Sequence, residues 1–72
     1  MRKNNWRAAK ATRVLSALQR IGWRIKRQKG SHRTLERHGW PDYVFAYHDR
    51  IEVGPVALEK LGKNTGLTPG DL

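Results

Sequence analysis

His32 lies in the stretch Arg27-Gln28-Lys29-Gly30-Ser31-His32-Arg33-Thr34, one imidazole among cations and hydroxyls. Histidine can take or give a proton near neutral pH, because imidazole titrates around pH 6.5. Lysine and arginine can hold negative charge that builds on a phosphate. The same stretch also reads as a hairpin turn, with Gly30 free to take a positive φ. In that reading His32 is a polar neighbour that caps backbone groups. Ser31 divides the same way, between a hydrogen bond to phosphate and a role in shaping the turn. Of the other histidines, His38 falls in a second turn and His48 just past a strand. The acids Glu36, Asp42, Asp49, Glu52, Glu59 and Asp71 are scattered along the chain, and there is no cysteine. The sequence therefore offers no disulfide, no thiolate site and no carboxylate cluster, and we expect neither metal nor cofactor.

The charge is unevenly placed. Residues 1–37 carry twelve Lys and Arg and one acid, a net +11, whereas residues 38–72 carry three basic and five acidic residues, a net −2. Clustered cations of this kind point to a polyanion, and to nucleic acid first, because phosphate binding releases counterions. A solvated, highly charged surface is the alternative reading of the same composition. No apolar run approaches the roughly 20 residues of a membrane span. No apolar segment follows the basic N-terminus to make a secretory signal. We expect a cytoplasmic protein with no membrane partner.

The elements that must position these groups follow from periodicity. We read a single domain over the 72 residues: a basic arm at 1–7, a folded body at 8–67 and a tail at 68–72. Asn5 is a candidate cap for a helix starting near Trp6. Ala8, Ala11, Val14, Leu15, Leu18 and Ile21 recur at helical spacing, and Gly22 is placed to stop that helix. Residues 23–28 alternate as a strand, with Trp23 and Ile25 on its buried side. Residues 32–37 form a second strand anchored by Leu35, and 37–42 a looser turn. Residues 42–47 form a third strand whose phase the sequence leaves open, since both faces are apolar. Ile51 to Val53 is a brief extension. Pro55 opens a last helix that Gly66 ends, with Leu67 folding back. The order α-β-β-β-α predicts an α+β fold, a three-stranded antiparallel meander with both helices on one face.

Strand alternation then sorts the side chains. Leu35 must face the core, so His32, Thr34 and Glu36 fall on the helix-free face. Opposite Trp23 and Ile25, the residues Arg24, Lys26 and Gln28 are expected to share that open face. If Val44 and Ala46 point inward, Tyr43, Phe45 and Tyr47 join it, where they could stack on bases or meet a partner protein. In the reverse phase those aromatics are core.

Taken in order, LQRIGWRIKRQKGSH, YHDRIEV and LEKLGKNTGL resemble the HicA family of toxins from bacterial toxin–antitoxin pairs. The family pattern is a helix ending in Gly plus an aromatic, here Gly22-Trp23, and a basic strand from Lys26 to Lys29. That strand runs into Gly30-Ser31-His32; a second histidine follows at His48, and a helix ends at Gly66-Leu67. The resemblance spans roughly residues 10–67. It implies a fold like the double-stranded-RNA-binding domain and an endoribonuclease acting on mRNA to inhibit translation, with His32 as the catalytic acid or base. It also implies a HicB-like antitoxin that covers the active surface. Lys26, Arg27 and Lys29 inherit the general basic character of the strand. With Arg24 and Ser31 they are our candidates for RNA contact.

The chain departs from the family at several points. Val56-Ala57-Leu58 stands where Gly-Thr-Leu is usual, Gly62 stands inside a helix, Leu35 replaces an aromatic, and the arm is longer. RNA supplies its own nucleophile, the ribose 2′-OH. The expected reaction therefore needs a proton acceptor, cations for the phosphate and a second proton-transfer group, for which water, Lys29 and His48 are the candidates. Two other readings compete: a non-catalytic double-stranded-RNA-binding module, and a protein-interaction subunit whose basic face meets an acidic partner. Lys60 and Lys63 are too sparse on the last helix for the phosphate clamp of such an RNA-binding module.

Overall fold

A computed structural model describes residues 4–72. Its elements are β1 (Ala9–Lys10), α1 (Ala11–Arg20), β2 (Arg24–Lys29), β3 (His32–Arg37), β4 (Trp40–Phe45), β5 (Glu52–Val53), α2 (Pro55–Thr65) and a 3₁₀ turn (Pro69–Asp71). Strands β2, β3 and β4 form an antiparallel meander in that order, and β1 pairs with β5 in a separate two-stranded ladder. The protein is α+β, with both helices and one face of the meander sharing a single core. That core joins Ala11, Val14, Ala17 and Leu18 of α1 to Leu58 and Leu61 of α2, with Trp23, Leu35, Phe45 and Val53 between them.

The first helix starts later than periodicity suggests. Asn5 does not cap it. The chain stays extended through Lys10 because Ala9 pairs with Val53 and Lys10 with Glu52. The Ala11 amide then donates to the Ile51 carbonyl at 2.8 Å, which satisfies one of the amides a helix start leaves open. Tertiary pairing has overridden a helical pattern that local spacing supported. At the other end, Ile21 closes α1 and Gly22 takes φ 110.

The second helix follows the sequence reading closely. Pro55 lies in its first turn, and Gly66 caps it in the left-handed region at φ 79. Its one odd residue has a packing reason. A Cβ on Gly62 would come within 2.7 Å of both the Leu67 carbonyl oxygen and Trp6 Cζ2. Gly62 thus lets the N-terminal Trp6 lie against α2. Thr65, fully buried, donates to the Leu61 carbonyl at 2.8 Å, and its own carbonyl accepts from Trp23 Nε1 at 3.0 Å. Burying these polar groups costs little because each is paired.

Two details of the meander differ from simple alternation. The turn read over 37–42 is only His38-Gly39, because Arg37 pairs directly with Trp40 and β4 begins there. Pro41 is accommodated because β4 is an edge strand. The open phase of the third strand resolves with aromatics inward: Phe45 is buried, Tyr43 and Tyr47 pack partly buried against the core, and Val44 is 52% exposed. No aromatic stacking platform therefore lies on the helix-free face from these residues.

Candidate nucleic-acid interface

The Gly30-Ser31 turn is the shortest a hairpin can use. Lys29 and His32 are ladder partners, so the loop holds two residues. Gly30 has φ 59, and Ser31 has no positive φ. A positive φ at the first central position alone is the pattern of a type II′ turn, which needs glycine there and fits the twist of the strands. The Gly-Ser-His order thus has a local cause. Gly30 makes the turn, and His32 becomes the first residue of β3, directly across from Lys29. Cross-strand neighbours of this kind hold their Cβ atoms roughly 4.5–5.5 Å apart.

The open face is not the one alternation gave. Arg24 pairs with Glu36 and Ile25 with Leu35, but the next partners are Arg27 with Thr34, Gln28 with Arg33 and Lys29 with His32. Lys26 is an extra residue in β2. Such a bulge shifts the phase of everything after it by one. Arg27 and Lys29, not Gln28, therefore share the face of His32 and Thr34. Gln28 moves to the core side with Arg33, and Ile25 sits on that side at the sheet edge, 41% exposed rather than buried.

The cations of β2 fall into two groups. Lys26 Nζ lies 3.0 Å from Asp42 Oδ2, and Arg24 Nη2 lies 3.7 Å from Glu36 Oε2. Among the described residues, Arg27 and Lys29 have no carboxylate partner, and His32 is exposed with no hydrogen-bond partner. The unpaired charge therefore gathers at the turn end of the face, around the imidazole.

Ser31 belongs to the other side of the same turn. A shallow depression of about 390 Å³ is formed there by Gly30 and Ser31, by Gln28 and Arg33 of the two strands, and by Tyr47, His48 and Asp49 of the following loop. Arg33 Nη2 donates to Asp49 Oδ1 at 2.9 Å, and the Arg33 side chain is only 12% exposed. Its Nη1 is closed off from solvent and has no partner. Sequence reasoning gave Arg33 no role and left Asp49 among the scattered acids. The available signal was an arginine at a core-facing strand position, which must find a counter-charge. A second depression, of about 400 Å³, lies between the N-terminal segment and the tail, lined by Asn5, Arg7, Arg13, Pro69 and Leu72 among others. It holds cations but no histidine. Among the described residues no three of His, Asp and Glu gather where they could hold a metal ion.

Burial raises the Tyr43 phenol to about 12, with the nearby Tyr47 adding to the shift. That group belongs to the core side and takes no part in the open face.

The protein is a small α+β domain whose sheet carries exposed, unpaired cations on its helix-free face beside an unpaired histidine. The family comparison makes this specific: the HicA toxin family of bacterial toxin–antitoxin systems matches residues 11–67, and the chain belongs to that family. No curated protein and no solved structure matches the chain. Membership makes the protein a toxin and implies an antitoxin as its partner. Among the described residues no helix is long and apolar enough to cross a membrane.

Proposed function

We propose that the protein is a metal-independent endoribonuclease that cleaves mRNA and so inhibits translation, with His32 as its catalytic acid or base. The observation that carries this is the placement of His32: exposed, without a partner, and across the ladder from Lys29. In the reaction the ribose 2′-OH attacks the neighbouring phosphorus, and a 2′,3′-cyclic phosphate forms as the bond to the 5′-oxygen breaks. One group takes the hydroxyl proton and another returns a proton to the 5′-oxygen. Arg27 and Lys29 are free to offset charge on the phosphoryl oxygens. Lys29 or a water is better placed than His48 to share proton transfer with His32, since His48 belongs to the depression on the other side of the turn. Arg24 and Lys26 extend the RNA track once their exposed ion pairs open, which costs little.

A HicB-like antitoxin covering this face would block RNA and cap the exposed Val44 together. An mRNA target places the action in the cytoplasm. The test is RNA cleavage by purified protein in EDTA, wild type beside His32→Ala. General acid–base catalysis is worth about 10²–10⁴ in rate, so His32→Ala should lose at least a hundredfold with its melting temperature unchanged. Equal cleavage by both proteins would remove the proposal. Salt-sensitive RNA binding with no cleavage by either protein would favour a non-catalytic binding module instead.

A further inference from the structure

The depression behind the Gly30-Ser31 turn has features that the open face does not use. It brings together side chains from the 28–33 hairpin and a distant loop: Gln28 and Arg33 from adjacent strands, Ser31 from the turn between them, and His48 and Asp49 from the loop after β4. Phe45 and Tyr47 stack edge to face at 5.3 Å, which gives that loop a fixed base. The Arg33–Asp49 ion pair ties the loop to β3. A nearly buried arginine that leaves one terminal nitrogen unpaired is unusual, because an unmet buried donor is costly. Here Asp49 accepts from Nη2 alone, and Nη1 has no acceptor.

We propose that this depression is a second phosphate subsite, which takes a phosphodiester neighbouring the one cleaved at His32. The inference rests on the endoribonuclease reading above. Consecutive residues of β3 point to opposite faces, so His32 and Arg33 present an imidazole on one side of the turn and a guanidinium on the other. An RNA strand that crosses the turn meets both. The depression supplies the Ser31 hydroxyl and the His48 imidazole, beside the Gln28 amide, whose Nε2 donates to the Gly30 carbonyl at 3.3 Å, and the positive charge of the Arg33 guanidinium. Against these stands one carboxylate, Asp49, already engaged by Arg33. The neighbouring Arg27 and Lys29 add unpaired positive charge on the other side of the turn. Single-stranded RNA fits this better than a duplex, since a flexible backbone can wrap a tight hairpin end.

The carboxylate makes the test sensitive to sign. Asp49→Asn removes a negative charge yet keeps an acceptor for Arg33, so it should tighten binding. His48→Ala removes a donor from an exposed position with little risk to folding, and should weaken binding. The probe is a single-stranded 2′-O-methyl RNA oligonucleotide, which keeps every phosphate but lacks the 2′-OH and so resists cleavage. A charged hydrogen bond lost or gained corresponds to roughly a tenfold change in Kd. We expect His48→Ala to raise Kd by about that factor, and Asp49→Asn to lower it, with melting curves close to wild type. Inorganic phosphate titrated into the isotope-labelled protein should shift the amide resonances of Ser31, Arg33 and His48 more than those of Arg24 and Lys26. Unchanged Kd in both variants, a lower Kd for the His48 variant or a higher one for Asp49→Asn, or shifts confined to the open face would overturn the subsite. The cleavage comparison with His32→Ala stands apart from these measurements. If it shows the nuclease while the oligonucleotide results fail, the subsite alone is lost. If neither protein cleaves RNA but the shifts and Kd changes appear as described, the subsite survives as an anion site and the enzyme reading is lost.

Discussion

At the Gly39 end of the sheet, Arg37 lies over the Trp40 ring at 5.3 Å, and Trp40 meets Trp23 edge to face at 6.0 Å. At the Gly30 end, Arg27, Lys29 and His32 project with no partner among the described residues, and Arg33 keeps one nitrogen unpaired. Each end is a two-residue turn with one positive-φ glycine, closed by Arg37 and Trp40 at one end and by Lys29 and His32 at the other. The difference lies in what surrounds the cations. Trp40, Gly22 and Gly66 absorb Arg37 into packing, whereas Arg27, Lys29 and His32 at the other turn are exposed. A chain this short has little stability to spare. Its anchoring lies at one end of the meander, and at the other end Arg27, Lys29 and His32 stay exposed.

The largest effect that tests this division is at Trp23, which is 1% exposed and bonded through Nε1 to Thr65. Trp23→Ala should cost about 3–5 kcal/mol, enough to leave much of the protein unfolded at 25 °C. Far-ultraviolet circular dichroism with urea titration would read the loss, while His32→Ala should leave the same curve in place. A matched loss in both variants would mean that the two ends are not separable.

Next come the two glycines that lie on either side of the comparison. A Cβ on Gly66 would stand 2.9 Å from Trp40 Cη2 in a left-handed backbone, whereas a Cβ on Gly30 would meet nothing within 4 Å. Gly66→Ala should therefore cost backbone strain plus displacement of Trp40 from Trp23, about 2–3 kcal/mol together. Gly30→Ala carries the backbone strain alone and should lose less stability. It should nevertheless lose more cleavage, because the turn sets His32 against Lys29. Urea midpoints and cleavage rates of the two variants should rank in opposite orders.

The cations give a smaller effect. Arg27→Gln with Lys29→Gln removes two unpaired charges, whereas Arg24→Gln with Lys26→Gln removes two that already have carboxylates at 3.7 and 3.0 Å. For single-stranded RNA the slope of log K against log salt is about −0.7 per phosphate contact. The first double variant should flatten the slope by roughly 1.4 on that scale, and the second by less. Equal flattening would show that the bulge at Lys26 does not sort the cations.

Much of this layout is legible in the sequence, and the exceptions have identifiable causes. The strand 32–37, the Pro55 helix start, the Gly66 cap and the exposure of His32 follow from propensity, turn chemistry and the need to bury Leu35. The bulge at Lys26 has no local signal, because every residue from Arg24 to Lys29 is exposed and no apolar side chain is forced to keep its phase. The start of α1 was misplaced because Ala9 and Lys10 fit a helix equally well until Val53 and Glu52 arrive to pair with them. The depression was missed because Arg33 and Asp49 are brought together only by tertiary structure.

The smallest predicted effect lies on the core side, at Tyr43. Burial, with Tyr47 adding to it, raises its phenol from 10.0 to about 12. The neutral phenol is the form that the fold favours, so the folded protein keeps a proton that the unfolded chain releases above pH 10. Stability from this group is therefore fully present below pH 10 and falls as pH rises through the interval up to about 12. The informative quantity is the difference between wild type and Tyr43→Phe. The variant should show a shallower alkaline decline in melting temperature, and little change at neutral pH. The open face gains nothing from this group, so RNA cleavage at neutral pH should be the same in both proteins. A variant that melts like wild type at pH 11 but cleaves RNA more slowly at pH 7 would move Tyr43 from the anchoring side of the molecule to the functional one.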